Sequence, residues 1–228
     1  MTAPSQLLDN PIWGTLVTRH AKEVLGKGRA RRFSPEVSPL GGIPDETDQS
    51  LADLSELIAD QGGVVLAQDR LFACPERAEM VHHFYVHQMH LTDSSFAQID
   101  PSLERLGAAD AAQMLALVVE AHPGPFALKT HELGEYWGIK IEGQLVAMAG
   151  ERMKLPGLSE ISGVATYEAH RGKGYAKQLC RHLMGRILER GENAFLHVET
   201  EKPDVENFYH RLGFGSQRTL VAQVFERA

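Results

Sequence analysis

The chain has 228 residues, 43% of them hydrophobic and 23% charged, and a formal net charge of −7. This suits a globular protein of one large or two small domains, with enough core to fold without covalent staples. The acidic balance argues against a general nucleic-acid binder, whose partner demands a basic face. Two distant cysteines, Cys74 and Cys180, make neither a disulfide framework nor a zinc pattern.

The first nine residues lack a basic region followed by an apolar one, so no signal peptide is read. No apolar run reaches the ~18 residues that span a bilayer, and the expected location is the cytoplasm. A helix is predicted over 11–25, with Ile12, Leu16 and Val17 on one side. The basic stretch 26–32 reads as a polyanion contact or as a solvated loop, and the acids that follow favour the loop. Asp48 or Ser50 is placed to cap a helix to about residue 60, and 64–67 reads as a strand. Residues 81–90 are rich in histidine. As a helix they would put His83, His87 and His90 on one face, as a metal site needs; as a strand, which Val81, Phe84 and Tyr85 favour, they split between faces. No metal is therefore expected.

Near Asp100 and Pro101 the character changes, and a boundary is placed there: an N-terminal α/β region at 1–100 and a second domain at 101–228. A helix is predicted over 106–121 and ends before Pro123. Strands follow at 136–141, 144–153 and 159–167, with Glu142 and Gly143 as a tight turn, which makes an antiparallel meander. From 175 to 190 the apolar residues Ala176, Leu179, Cys180, Leu183, Met184, Ile187 and Leu188 form a full helical stripe. A strand at 194–200 should run parallel to the strand before that helix, because a helical crossover separates them. A short helix from Pro203 and a last strand at 219–225 complete an α+β order.

Chemistry concentrates at the start of the long helix. His170, Arg171, Gly172, Lys173, Gly174, Tyr175 and Ala176 join strand to helix with two glycines and two cations. The glycines let backbone approach a ligand, and a helix start offers unpaired N–H groups to a phosphate. Six bases and one acid lie between 170 and 190, which on an acidic chain points to a small anionic ligand more than a polymer. Neither a Walker loop nor a GxGxxG dinucleotide fingerprint is present.

Arg171, Gly172, Gly174 and Ala176, followed by Phe208, Tyr209, Leu212, Gly213 and Phe214, are similar to two ordered motifs of the GNAT superfamily of acetyl-CoA-dependent acyltransferases. The resemblance covers about residues 102–228. It implies a mixed, mostly antiparallel sheet flanked by helices, here with an N-terminal α/β extension that reads as a degenerate partial copy. It implies acetyl-CoA as co-substrate, with the backbone of Val164, Ala165 and Thr166 along the pantetheine arm and the amides of Arg171, Gly172, Lys173, Gly174, Tyr175 and Ala176 on the pyrophosphate. Tyr209 would protonate the leaving thiolate. Glu160, eleven residues before Arg171, would be the general base, with Glu151, His197, Glu199 or water as rivals. Many members have Asn seven residues before the tyrosine, where this chain has Lys202. Phe126, His131, Glu132 and Tyr136 are candidates for contact with a small-molecule or peptide amine. The expected activity is N-acetyl transfer by a monomer or homodimer without nucleic-acid or membrane partners; the alternative is a non-catalytic acyl-CoA-binding module.

Overall fold

A computed structural model describes residues 7–22 and 24–228, so the reading of a missing signal peptide lies largely outside the described residues. The chain runs α1 (Pro11–Val17), β1 (Val24–Leu25), β2 (Arg31–Phe33), β3 (Gly41–Gly42), α2 (Asp48–Gln61), β4 (Val64–Gln68), β5 (Ala78–Leu91), β6 (Glu104–Leu106) and α3 (Ala111–Ala121). It continues through β7 (Tyr136–Ile141), β8 (Gln144–Leu155), β9 (Leu158–Thr166), α4 (Tyr175–Glu189), β10 (Asn193–Glu199), α5 (Pro203–His210) and β11 (Phe214–Arg227). Eight strands form one mixed, mostly antiparallel sheet in the order β4-β11-β5-β10-β9-β8-β7-β6. Its parallel pair is β9 with β10, across the crossover that α4 makes.

The meander forms where local pattern predicts it. Glu142 and Gly143 both take positive φ (52° and 81°), the primed-turn geometry whose twist matches a hairpin. In α4 the predicted stripe is the buried one: Leu179, Cys180, Leu183, Met184 and Ile187 are fully enclosed against Ala147, Ala149, Ile161 and Leu196. Burying each large aliphatic side chain contributes ~1.5–3 kcal/mol, which is why the helix sits on the sheet by that face. On the opposite face α1 packs Ile12 and Leu16 on Met153, Leu155 and Phe195, and α3 packs Met114 and Leu117 on Met148 and Ala165. Leu54, Leu57 and Ile58 of α2 cover Val64, Leu66 and Phe225.

Three expectations change. The helix predicted over 106–121 begins only at Ala111, because Leu106 pairs with Tyr136 in β6 and the Asp110 carboxylate turns the chain by accepting the Gly107 N–H at 3.0 Å. The helix predicted over 11–25 stops at Val17, where Thr18 leaves helical geometry and its hydroxyl donates back to the Gly14 carbonyl. The last strand starts at Phe214, not Thr219. The basic stretch 26–32 is bound within the fold: Arg29 pairs with Asp45 and donates to Ser50, and the buried Arg32 donates to the carbonyls of Phe33, Gln61 and Gly62 at the end of α2.

The N-terminal hundred residues enter the same sheet. β5 lies between β10 and β11, antiparallel to both, and β4 extends the sheet beyond β11. Because β5 is a strand, His83 and His87 point away from the face that carries His90. Among the described residues no three His, Cys, Asp or Glu side chains are placed to hold a metal ion.

Candidate active site

β9 and β10 pair only from Leu158↔Asn193 to Glu160↔Phe195, although β9 continues to Thr166 and β10 to Glu199. Past Glu160 the two strands separate, and β9 turns an unpaired edge of N–H and C=O groups toward the gap. On its other side β9 still pairs with β8, through Met148↔Ala165 and Ala147↔Thr166. A bulge at Gly163 and Val164, two residues facing Ala149, bends the strand there. Gly163 takes φ +62°, and a Cβ on it would meet the Tyr136 ring at 3.1 Å, so both backbone and space require glycine. The gap opens into a cavity of about 530 Å³ lined by Ile161, Val164, Val198, Arg171 and Tyr209, among others. That volume suits a small-molecule site.

The glycine loop begins at Arg171, which lies in the wall of this cavity, while residues 172–176 lie outside the lining. Gly172 and Gly174 take φ +76° and +82°, and nothing lies within 4 Å of a Cβ at either, so the left-handed backbone alone selects glycine. Gly174 is the N-cap of α4, and no side chain caps the helix. The first N–H groups of α4 have no intrahelical acceptor and, with the helix dipole, favour an anion. Lys173 turns its ammonium toward His170 Nδ1 at 3.3 Å. The loop and the β9 edge can therefore hold a phosphorylated, extended ligand by backbone alone.

Tyr209 reaches the cavity from α5, packed edge-on against Phe208 and Phe214. Burial, then the neighbouring Cys180 thiol and the Glu160 charge, hold its phenol well above the ordinary pKa of 10. It carries its proton throughout the physiological range and is able to donate it to a developing anion.

Glu160 is 1% exposed and accepts four hydrogen bonds. Arg152 donates two, from Nε at 2.9 Å and Nη2 at 2.8 Å; the Met153 N–H donates one at 3.2 Å and His197 Nδ1 one at 2.8 Å. A second bulge places Arg152 and Met153 together opposite Glu160. Burial alone would raise this carboxyl; the Arg152 charge and its hydrogen bonds, with His197, outweigh it and bring the group down to about 2. His197 Nε2 lies 3.2 Å from the buried Gln88 amide, whose oxygen is 3.3 Å from His90 Nε2. Burial first, then the His197 charge, lower the His90 pKa.

Glu160, Val164, Arg171 and Tyr209 line one cavity, together with His197 and Glu199. Glu151 does not: it is buried in ion pairs with Lys154 and Arg190. Of the acceptor-side candidates, Phe126, His131, Glu132 and Tyr136 lie outside the lining, where His122, Pro123, Gly124 and Pro125 take their place. Lys202 does line the cavity, paired with Glu199 at 2.9 Å. Sequence reasoning missed Arg152 and Gln88. The pairing of the two bulged residues with Glu160 has no local signal, whereas His197 and Glu199, named from the sequence only as rival bases, lie two residues apart on one face of β10.

The family model of FR47-like proteins matches residues 136–222, from β7 into β11. No curated protein matches the sequence. A structure assigned to the GNAT family of acetyltransferases from Novosphingobium aromaticivorans DSM 12444 is similar at 29% identity and TM-score 0.90, over 100% of both chains. A GCN5-related N-acetyltransferase from Kribbella flavida shares the fold at 15% identity and TM-score 0.59, over 95% of this chain and 94% of that one. A GNAT-family acetyltransferase from Colwellia psychrerythraea does so at 14% and 0.54, over 100% and 98%. The splayed strand pair, the glycine loop and the matching whole-chain architecture place the chain in the fold shared with these GNAT-family acetyltransferase structures. Within it, this chain carries a sheet whose β5 comes from the N-terminal half, and the N. aromaticivorans structure matches it over that half as well.

Proposed function

We propose that the chain is an N-acetyltransferase that moves the acetyl group of acetyl-CoA directly onto a primary amine of a small molecule or peptide. The observation that carries this reading is that the unpaired β9 edge, Arg171 at the start of the glycine loop and Tyr209 border one cavity. The pyrophosphate is held by the amides of Arg171, Gly172, Lys173, Gly174, Tyr175 and Ala176, and the pantetheine arm by the backbone of Val164, Ala165 and Thr166. The amine nitrogen attacks the thioester carbonyl, forming C–N, and a β9 amide stabilises the oxyanion. The C–S bond then breaks, and Tyr209 gives its proton to the departing thiolate.

The amine must lose a proton. Glu160, with four donors and a pKa of about 2, is a poor acceptor for it. We assign it a positioning role: its oxygen accepts the His197 Nδ1–H and so fixes the imidazole, whose Nε2 accepts from the Gln88 amide, and the amine proton passes to water in the cavity. A cytoplasmic setting is supported by the two free cysteines, one exposed and one buried.

The test combines acetyl-CoA binding by calorimetry with thiol release in a panel of amines. Tyr209→Phe is expected to lower kcat by ~100-fold while acetyl-CoA affinity holds. Full turnover in that variant, or no acetyl-CoA binding by the wild type, would refute the assignment.

A further inference from the structure

We propose that the acceptor is a primary amine on an uncharged, apolar body, received by a wall that the N-terminal half builds. The inference deepens the acetyl-transfer reading and rests on it for the identity of the reacting group.

The cavity has two sides because the sheet is split between β9 and β10. Val198, Ile161 and Tyr209 belong to the layer that α4 covers, next to the glycine loop. Glu160 and His197 project to the other face, with α1 and α3. Cross-strand partners share a face, so the register extends this second side outward. Glu199 faces Val86, Ala222 faces both Phe84 and Ala67, and Val65 faces Val224. A donor thioester threaded through the gap from the loop side thus meets, on the far side and beyond Glu160, His197 and Glu199, a surface that includes Ile12, Val65, Ala67, Phe84, Val86 and Ala222. All six are apolar. Ala67 and Ala222 leave room, and the Phe84 ring offers a flat contact.

The charges of the lining point the same way. Glu160 is held by Arg152 and His197, and Glu199 by Lys202. Among the described lining residues no carboxylate is left without a cationic partner to receive a second ammonium group. A polyamine or aminoglycoside would bury further charges against alkyl and phenyl groups, at a large desolvation cost. A monoamine with an alkyl or aryl body would bury apolar surface instead.

The experiment uses the full chain with ethylamine, butylamine, hexylamine and phenethylamine, against spermidine and an aminoglycoside. Thiol release gives kcat/KM, and calorimetry gives binding of phenethylamine to the protein loaded with coenzyme A. The expected gain is about fourfold in kcat/KM per added methylene, the ~0.8 kcal/mol of a buried CH2. Ala67→Leu, which fills the wall, and Phe84→Ser, which makes it polar, should each lower the phenethylamine-to-ethylamine ratio at least tenfold. Unchanged thermal unfolding and acetyl-CoA affinity would show that both variants fold. Preference for the polycations, absence of phenethylamine binding, or equal losses for every amine would overturn the inference. Spermidine turnover without phenethylamine binding would leave acetyl transfer standing and remove this acceptor class. Phenethylamine binding abolished by Ala67→Leu, with no transfer to any amine, would support the wall and refute the transfer.

Discussion

Replacing Glu160 with Gln tests the centre of the site, because the carboxylate is held by groups that cannot be satisfied without it. The change keeps the shape but removes the charge. Gln offers one accepting oxygen where the carboxylate offers two, and its amide N–H groups face the Arg152 donors. Arg152 is left as a buried cation without a counter-charge, a change that costs ~3–5 kcal/mol in buried pairs. The titration gives a second route to the magnitude. The drop from 4.5 to about 2, at ~1.36 kcal/mol per pH unit, is worth ~3 kcal/mol. The folded-state value lies below the unfolded one, so the unfolded chain binds more protons between them. This stability is therefore complete above pH 4.5 and is lost as pH falls toward 2. In urea or thermal unfolding at pH 7, Glu160→Gln should lose ~3 kcal/mol, roughly 6–12 °C in Tm for a chain of this size. It should also lack part of the wild-type decline below pH 4.5. Arg152→Met with Glu160→Leu should restore only part of the loss, since a packed apolar pair replaces the buried ion pair while the Met153 N–H and His197 Nδ1–H lose their acceptor. A Glu160→Gln protein within ~1 kcal/mol of wild type at pH 7, or parallel acid profiles for the two, would refute the reasoning.

Gly174→Ala forces a Cβ into φ +82° at the start of α4; it should cost ~1–2 kcal/mol in unfolding and raise the acetyl-CoA Kd at least tenfold by moving the loop amides. Wild-type affinity by calorimetry would remove the loop from the donor site. Arg32→Ala leaves the carbonyls of Phe33, Gln61 and Gly62 without their donor and opens a cavity, for a loss of ~3 kcal/mol in denaturant unfolding. Arg32→Lys should recover only part, because an ammonium cannot reproduce the planar fork.

Much of the fold was legible because its signals are local. The 3-1-3-1 stripe of α4, the three short strand runs of β7 to β9 and the Glu142, Gly143 turn each act within a few residues, and each appears where it was read. Gly172 and Gly174 were legible for a related reason: a left-handed backbone admits few other residues. The site was legible only by halves. Tyr209 and the loop follow from motifs, but the state of Glu160 depends on a bulge in β8 and on the β9–β10 register, and neither has a sequence mark. A glutamate at the expected spacing was thus visible, while the guanidinium that fixes its charge was not.

β5 was the least legible feature, because nothing near residues 78–91 says that they pair with residues 193–227. Local pattern gave the strand; its place between β10 and β11 is a long-range choice. That placement bears on the boundary read near residue 100. β5 follows β11 from Leu91↔Phe214 to Ala78↔Arg227 and also carries Gln88, which meets His197. Without it β10 and β11 would face each other across an empty strand position, with two unpaired edges and Met89 and Leu91 missing from the core. A fragment of residues 101–228 should therefore not fold alone, even though it holds both motifs. Circular dichroism and urea unfolding of that fragment should show no cooperative transition, and mixing it with a 7–100 fragment should restore one. A fragment that unfolds cooperatively and binds acetyl-CoA by itself would show that residues 101–228 are an autonomous domain and that β5 only adds to it.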